Sequence, residues 1–410
     1  MRPTVSVNPH RWIVFGALCA VYTTFGIAVA AMSPMLPLVR DELGVSRGQM
    51  GLALGAWALI YIVTAPLAGR FIDRFDLGWS VALGGMSVTG SLLLRANAQG
   101  VGSLWFAVAF FGVFGPLISA SSPALLARWF PDETERRRGV GFSAIAPALG
   151  GTLIVAITNP VLLEWFDTWR DVLRFEATLA AAATVGWIAV WNTVTRPTPP
   201  SREDAKHEHN TIGHLVGSAQ VRLVLAMAFT VFFINHALSP WMPTVLEELG
   251  AMTPTTASGW VAAAGLVGIP ITAFLPRVGQ GQRLFPLMGA VLATSGIALI
   301  LVALTPGIAM GLSTVLSSVR AALIPIAILT LLAADRVTPA NAGVATGLWF
   351  SVAEIGGVTG PLAVGVIADT AAGYRGALAA VVLVCGLGVV LALIGFRLHQ
   401  TLDPVHEDFR

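Results

Sequence analysis

The sequence predicts an all-α membrane protein of twelve transmembrane helices, arranged as two six-helix bundles related by a parallel pseudo-two-fold repeat. Three observations predict it. The chain has 410 residues, 55% of them hydrophobic and only 11% charged, whereas soluble domains carry about 25% charged residues. Apolar runs of about 20 residues, enough to cross a bilayer as a helix, recur twelve times along it. A thirteen-residue stretch also occurs twice. Residues 33–45 read SPMLPLVRDELGV and residues 239–251 read SPWMPTVLEELGA, identical at seven positions and 206 residues apart.

Taken in order, span 1 (12–35) follows a short polar start, MRPTVSVNPHR. Its apolar run is longer than a signal-peptide core and has no clean small-residue cleavage site, so it is expected to be retained. Spans 2 to 6 follow at 49–68, 79–97, 103–127, 139–163 and 172–192. A polar segment rich in proline and charge, 195–220, then reads as a linker. Spans 7 to 12 lie at 221–245, 256–276, 284–303, 308–333, 342–367 and 376–396. Backbone groups in lipid must bond internally, which makes these runs helices, and the 43 glycines let such helices approach closely. The expected organisation is an N-terminal bundle, 1–194, a cytoplasmic linker, 195–220, and a C-terminal bundle, 221–410. The repeated stretch follows span 1 in one bundle and span 7 in the other, on the same face, so the repeat is parallel. Gly141, Gly150 and Gly151 in span 5 recur at the same offset as Gly347, Gly356 and Gly357 in span 11.

With the N-terminus inside, inner loops hold twelve arginines and lysines and outer loops six, among them Arg40, Arg47 and Arg95. The basic excess marks the cytoplasmic side, so both termini are expected there, in a multi-pass protein of the cytoplasmic membrane. A net charge of +2 gives no broad basic surface for nucleic acid. Cys19 and Cys385 sit in apolar segments and imply neither disulfide framework nor metal site. There is no phosphate loop, no HExxH and no CxxC; no cofactor is expected.

Residues 69–74, GRFIDR, lie between spans 2 and 3. Six plus six helices with this loop resemble the major facilitator superfamily, whose signature there is Gly, three residues, Asp, Arg. Gly69, Asp73 and Arg74 match it, but the basic cluster that usually follows is replaced by FDLG. The resemblance covers residues 10–400 and implies that Asp73 helps latch the halves on the cytoplasmic side. Span 5 carries APALGG at 146–151, similar to the Gly-Pro-x-x-Gly-Gly of the superfamily's drug–proton exchangers, with Pro147, Gly150 and Gly151 matching and Ala146 departing. Such residues also serve plain helix packing and bending. SPMLPLVRDELG together with GLWFSVAEIGGVTGP is similar to the cyanate-permease-like branch.

A transporter site belongs near the midplane, between the halves. A charge at a span centre costs about 2.5–3.5 kcal/mol on insertion scales and marks function by default. Arg320 lies mid-span in VLSSVRAALIPIAIL, where the matching first-half position is Phe114. Its fork suits a carboxylate, so it is the candidate anchor for an anion; a structural ion pair is the alternative. Glu354, midway along span 11, could carry a proton, or pair with Arg320. His236 is the one histidine in an expected span and could bind substrate or carry a proton; ordinary interior packing competes. Its neighbour Asn235 and, in span 1, Tyr22 complete the candidate substrate contacts. Tyr61, Trp57, Ser119, Ser121 and Ser122 are milder candidates.

The leading expectation is a monomeric, proton-coupled secondary transporter of a small organic or inorganic anion, working by alternating access, with sodium coupling left open. The competing expectation is a proton-antiporting exporter of drug-like compounds. A non-transporting receptor or an enzyme would need a soluble domain or a clustered acid, base and nucleophile, and neither is visible.

Overall fold

The computed structural model describes residues 9–194, 211–279, 283–338 and 341–402; the side chains of residues 73, 211 and 399–402 are excepted. Among the described residues, twelve helical spans are long and apolar enough to cross a membrane: Arg11–Leu43, Arg47–Ile72, Leu77–Ala96, Val101–Trp129, Glu133–Trp165, Trp169–Thr193, Ala219–Leu238, Pro254–Arg277, Leu284–Leu304, Gly307–Leu332, Ala342–Ala368 and Gly373–Leu398. Large apolar side chains such as Val63, Phe106, Leu304 and Leu383 stay exposed on their outer faces, as a surface solvated by lipid allows. We call the face where span 1 starts the near face and the opposite one the far face.

Local chemistry starts the spans. Ser46 accepts from the Gln49 N–H while the Gln49 side chain accepts from the Ser46 N–H, a capping box that opens span 2. Asp132, Thr168, Ser218 and Thr253 cap spans 5, 6, 7 and 8, each accepting one backbone N–H without the reciprocal bond. Prolines shape the duplicated stretch. The helix of span 7 ends at Leu238 and resumes at Met242–Gly250, rather than running on to 245 as the apolar pattern suggested. Pro240 and Pro243 supply no N–H for the helical ladder there. Span 1 likewise passes through a 3₁₀ turn, Ser33–Met35, before Leu36–Leu43. Of the expected linker, residues 195–210 lie outside the described residues, and Thr211–Val216 form a short helix.

The halves repeat each other in detail. Gly150 lies so close to span 1 that a Cβ there would sit 2.1 Å from the Thr23 carbonyl oxygen. Gly356 does the same to Phe229, at 2.3 Å. Both the glycines and their partners are 206 positions apart, so spans 5 and 1 pack as spans 11 and 7 do. The duplicated stretches themselves meet: the Ser33 hydroxyl reaches the carbonyl oxygens of Ser239 and Pro240, each at 3.1 Å. Equivalent residues that touch must lie beside the two-fold axis, which places that axis at the far ends of spans 1 and 7.

Candidate functional site

The halves meet along spans 2 and 11 and along spans 5 and 8. Between spans 1 and 5 on one side and spans 7, 8 and 10 on the other lies a cavity of about 310 Å³. Its walls are mostly apolar, with Phe25, Val29, Pro147, Met242 and Ile269 among them. Arg320 is the one charged side chain in its described lining.

Span 10 is not a continuous α-helix. Gly307–Leu316 gives way to a 3₁₀ segment, Ser317–Ala322, before Leu323–Leu332. Such mid-helix segments often mark hinges, and this one carries Ser317, Ser318 and Arg320 to the cavity. Arg320 Nη1 donates to Asn235 Oδ1 at 2.8 Å. Its Nε is buried without a partner, as is the Ser318 hydroxyl, and its Nη2 has no protein partner among the described residues. Arg320 and Glu354 form no ion pair among the described residues, so the pairing weighed from sequence is not what this structure adopts.

Asn235 is therefore beside Arg320, its amide nitrogen donating to Val231 O at 2.9 Å. The neighbouring His236 turns elsewhere. Its Nδ1 is 3.0 Å from Phe232 O, and its ring lies between Phe232 and Trp57 of span 2, at 5.2 and 5.4 Å between centroids. Glu354 is 2% exposed, and its Oε2 has no hydrogen-bond partner. It sits where span 11 meets Ala58 of span 2. Tyr22 contacts Phe25, at 5.5 Å between rings. Among the described residues, Tyr22, Asn235, His236 and Glu354 do not line the cavity itself, although Phe25 does. Tyr61 and Ser119 bond each other at 2.8 Å, while Ser121 and Ser122 keep buried hydroxyls without partners.

Pro147 and Gly151 line the cavity, and Gly150 sits against span 1. At the near face Gly69 faces open space and Arg74 lies 6.0 Å over the Phe75 ring; the Asp73 side chain is outside the described residues.

All described ion pairs that join the halves lie at the far face. Glu248 binds Arg47 at 2.7 Å and Arg40 at 3.6 Å. Asp369, at the end of span 11, accepts from the Gly48 and Arg47 backbone N–H groups at 2.7 and 3.1 Å, and so caps span 2 of the other half. Burial pushes the Asp369 carboxyl up, but bonds from Gly48, Ser46 and Arg47, with the Arg47 charge, carry it below the usual value. Asn159, displayed on a π-helical turn of span 5, donates to Ser258 of span 8 at 2.7 Å and to Pro34 O at 3.1 Å. The structure is thus closed at the far face. By sequence Arg40 and Arg47 are only loop charges; the repeat of Glu42 as Glu248 is the available signal for their role across the interface. Arg95, an expected loop charge, is instead 2% exposed, donates to Ala28 O at 2.6 Å and shares the first bundle's interior with the fully buried Glu176.

Comparison with known proteins follows the same lines. Residues 18–358 match the sequence profile of the Major Facilitator Superfamily. Over 389 residues the chain is 25% identical to the multidrug resistance protein MdtG of Proteus mirabilis, covering 92% of this chain and 94% of that one. It is also 25% identical over 390 residues to the hexuronate transporter of Bacillus subtilis, covering 90% of each. Among solved structures, a bacterial homologue of the human lysosomal transporter Spinster superposes with a TM-score of 0.78 at 15% identity, covering 96% of this chain and 98% of the other.

Proposed function

This chain belongs to the Major Facilitator Superfamily, and on that premise we propose that it is a proton-coupled secondary transporter that moves a small organic or inorganic anion by alternating access. The observation that carries the reading is Arg320, a cation on a broken helix, lining an otherwise uncharged cavity between the halves. A guanidinium in an apolar wall attracts and neutralises one anionic group. The similarity to a hexuronate transporter supports an anionic cargo. Glu354 and His236 are the proposed proton carriers, both at the contact between spans 2 and 7 or 11, where a rocking motion changes their surroundings. The basic inner loops favour both termini in the cytoplasm, so the far-closed structure is then the inward-open state of a monomer in the cytoplasmic membrane. Residues 1–194 and 221–410 are the proposed rocking bundles, joined by 195–220. Asp73, with Gly69 and Arg74, is the proposed near-face latch. Pro147, Gly150 and Gly151 are the proposed pivot between spans 1 and 5.

The test uses proteoliposomes with a trapped pH dye, challenged with a panel of small organic and inorganic anions. A cotransported proton acidifies the lumen with one class of anion. Glu354→Gln should abolish the acidification while leaving anion counterflow, and Arg320→Met should remove both. Undiminished acidification in both variants refutes the assignment. The similarity to MdtG and the APALGG run favour a second reading, export of drug-like compounds against protons. Resistance of overexpressing cells, unaltered by Arg320→Met, would select it.

A further inference from the structure

The cavity restricts the cargo more narrowly than the word anion does. We propose that it takes a monocarboxylate with a compact apolar body, held by its carboxylate at the Ser317–Ala322 turn, and excludes dianions and polyhydroxylated acids. The proposal rests on the Arg320 reading above and refines it.

Charge comes first. Among the described residues Arg320 is the one charged side chain in the lining, so one negative charge is neutralised. A second carboxylate would be buried unpaired, at an effective penalty of several kcal/mol. Hydrogen-bonding capacity comes next. Six hydroxyl side chains line the cavity, but three of them are already donating to backbone carbonyls: Thr272 to Gly268 O at 2.9 Å, Thr314 to Met310 O at 3.0 Å and Ser317 to Thr314 O at 2.7 Å. Those three keep only acceptor capacity, so the oxygens of a sugar acid find three hydroxyl donors in a wall that is otherwise largely apolar, and each group left unsatisfied costs about 1–3 kcal/mol. The remaining wall is the apolar surface of Phe25, Val29, Met242, Val261 and Ile269, which fits an aromatic or branched body.

The turn itself has capacity left over. Arg320 Nη2 has no protein partner among the described residues, and behind it Arg320 Nε and the Ser318 hydroxyl are buried without partners. Buried donors left in this condition are rare in native proteins and call for an explanation. A carboxylate meeting Nη2 from the cavity, with a small rotation of the turn that uncovers Nε and the Ser318 hydroxyl, offers acceptors to all three, and a guanidinium binds it through two parallel bonds. Size agrees. A volume of about 310 Å³ lies at the small end of the roughly 300–1,000 Å³ of small-molecule sites, which suits a compact guest such as a benzoate.

The test is binding to the purified full-length protein by thermal shift and calorimetry, with four probes: benzoate, benzamide, phthalate and glucuronate. Benzoate should raise the melting temperature, and the other three should not. Arg320→Lys, which keeps the charge but loses the fork, and Ser318→Ala should each weaken benzoate binding about tenfold, both variants retaining the wild-type melting temperature without ligand. Glucuronate or phthalate binding as tightly as benzoate overturns the cargo class while leaving an anion site at Arg320. Benzamide binding as tightly as benzoate, or benzoate binding undiminished in Arg320→Met, overturns the anion reading beneath it. Absence of benzoate binding overturns the proposal.

Discussion

Replacing Asp369 with alanine should open the far face. The Asp369 carboxylate caps the first turn of span 2 across the interface, accepting from two backbone N–H groups. Loss of such a cap costs about 0.5–2 kcal/mol, and a negative charge at a helix N-terminus adds about 0.3–1 kcal/mol. When the face opens, water replaces part of both, so about 1–2 kcal/mol is the working figure. That corresponds to a shift of roughly 5–30-fold toward the far-open state. The Arg47–Glu248 pair keeps about a third of each side chain exposed, and pairs of that kind contribute about 0.2–1 kcal/mol. Glu248→Gln should therefore open the face less than Asp369→Ala. Spin labels at Gln99 and Thr255, exposed far-face positions on opposite halves, would report the populations in a background lacking Cys19 and Cys385. The acid dependence has a defined sign. Because the Asp369 carboxyl is lowered in this state, its contribution to closure persists above the ordinary aspartate value, about 3.9, and is lost only as pH falls through the lowered one. An unchanged distance distribution in Asp369→Ala, or a larger effect from Glu248→Gln, refutes the reasoning.

Three further outcomes are expected. Glu247, outside the spans and beside Glu248, is pushed up to about 7 by burial and then by its neighbour's charge. The closed face therefore carries a penalty when that carboxyl ionises, so closure should strengthen as pH falls from 8 to 6, and Glu247→Gln should flatten the same spin-label titration. Gly356→Ala forces a Cβ to within 2.3 Å of Phe229 O, whereas nothing lies within 4 Å at Gly347. The first should cost about 1–3 kcal/mol, read as a lowered melting temperature, and Gly347→Ala should be close to neutral. Arg95→Met leaves the buried Glu176 without the charge that faces it. Among the described residues no close ion pair joins the two, both Glu176 oxygens lacking partners. The lost bond to Ala28 O, worth about 1.5–3 kcal/mol for a charged donor, therefore sets the expected fall in melting temperature, and adding Glu176→Gln should restore part of it.

The spans were legible because hydrophobicity over about 20 residues is a local property, and every expected run overlaps an observed one. Duplication was legible because Ser33 and Ser239 retain their sequence surroundings. What escaped was whatever depends on depth and partner. Arg95 lies two residues from the polar Asn97 and reads as a loop charge, until span 1 supplies the Ala28 carbonyl that holds it inside. The 3₁₀ segment of span 10 has no glycine or proline within it to announce it. Arg320 could be placed at mid-depth, but its bond to Asn235, 85 residues away, could not. Nor could the separation of His236 from Asn235, adjacent in sequence yet directed to different elements.

Duplication also shows where the two halves have parted. The offset of 206 pairs Asn235, His236 and Glu354 with Val29, Ala30 and Ala148, and all three of those apolar residues line the cavity. It pairs Arg320 with Phe114. One backbone plan therefore presents a largely apolar wall from the first half, while the second carries Arg320 into the cavity and keeps Asn235, His236 and Glu354 outside its lining. The same parting occurs at the far face. Glu42 stays within its own half, bonded to Trp169 and Arg170, while its equivalent Glu248 crosses to Arg40 and Arg47. A symmetric pair of glutamates would tie each half to itself or both halves to each other twice. One of each kind leaves the first half internally braced and gives the interface one partly exposed glutamate shared between Arg47 and Arg40 beside the Asp369 cap, an ionic closure of the size that a bound ligand's few kcal/mol can offset.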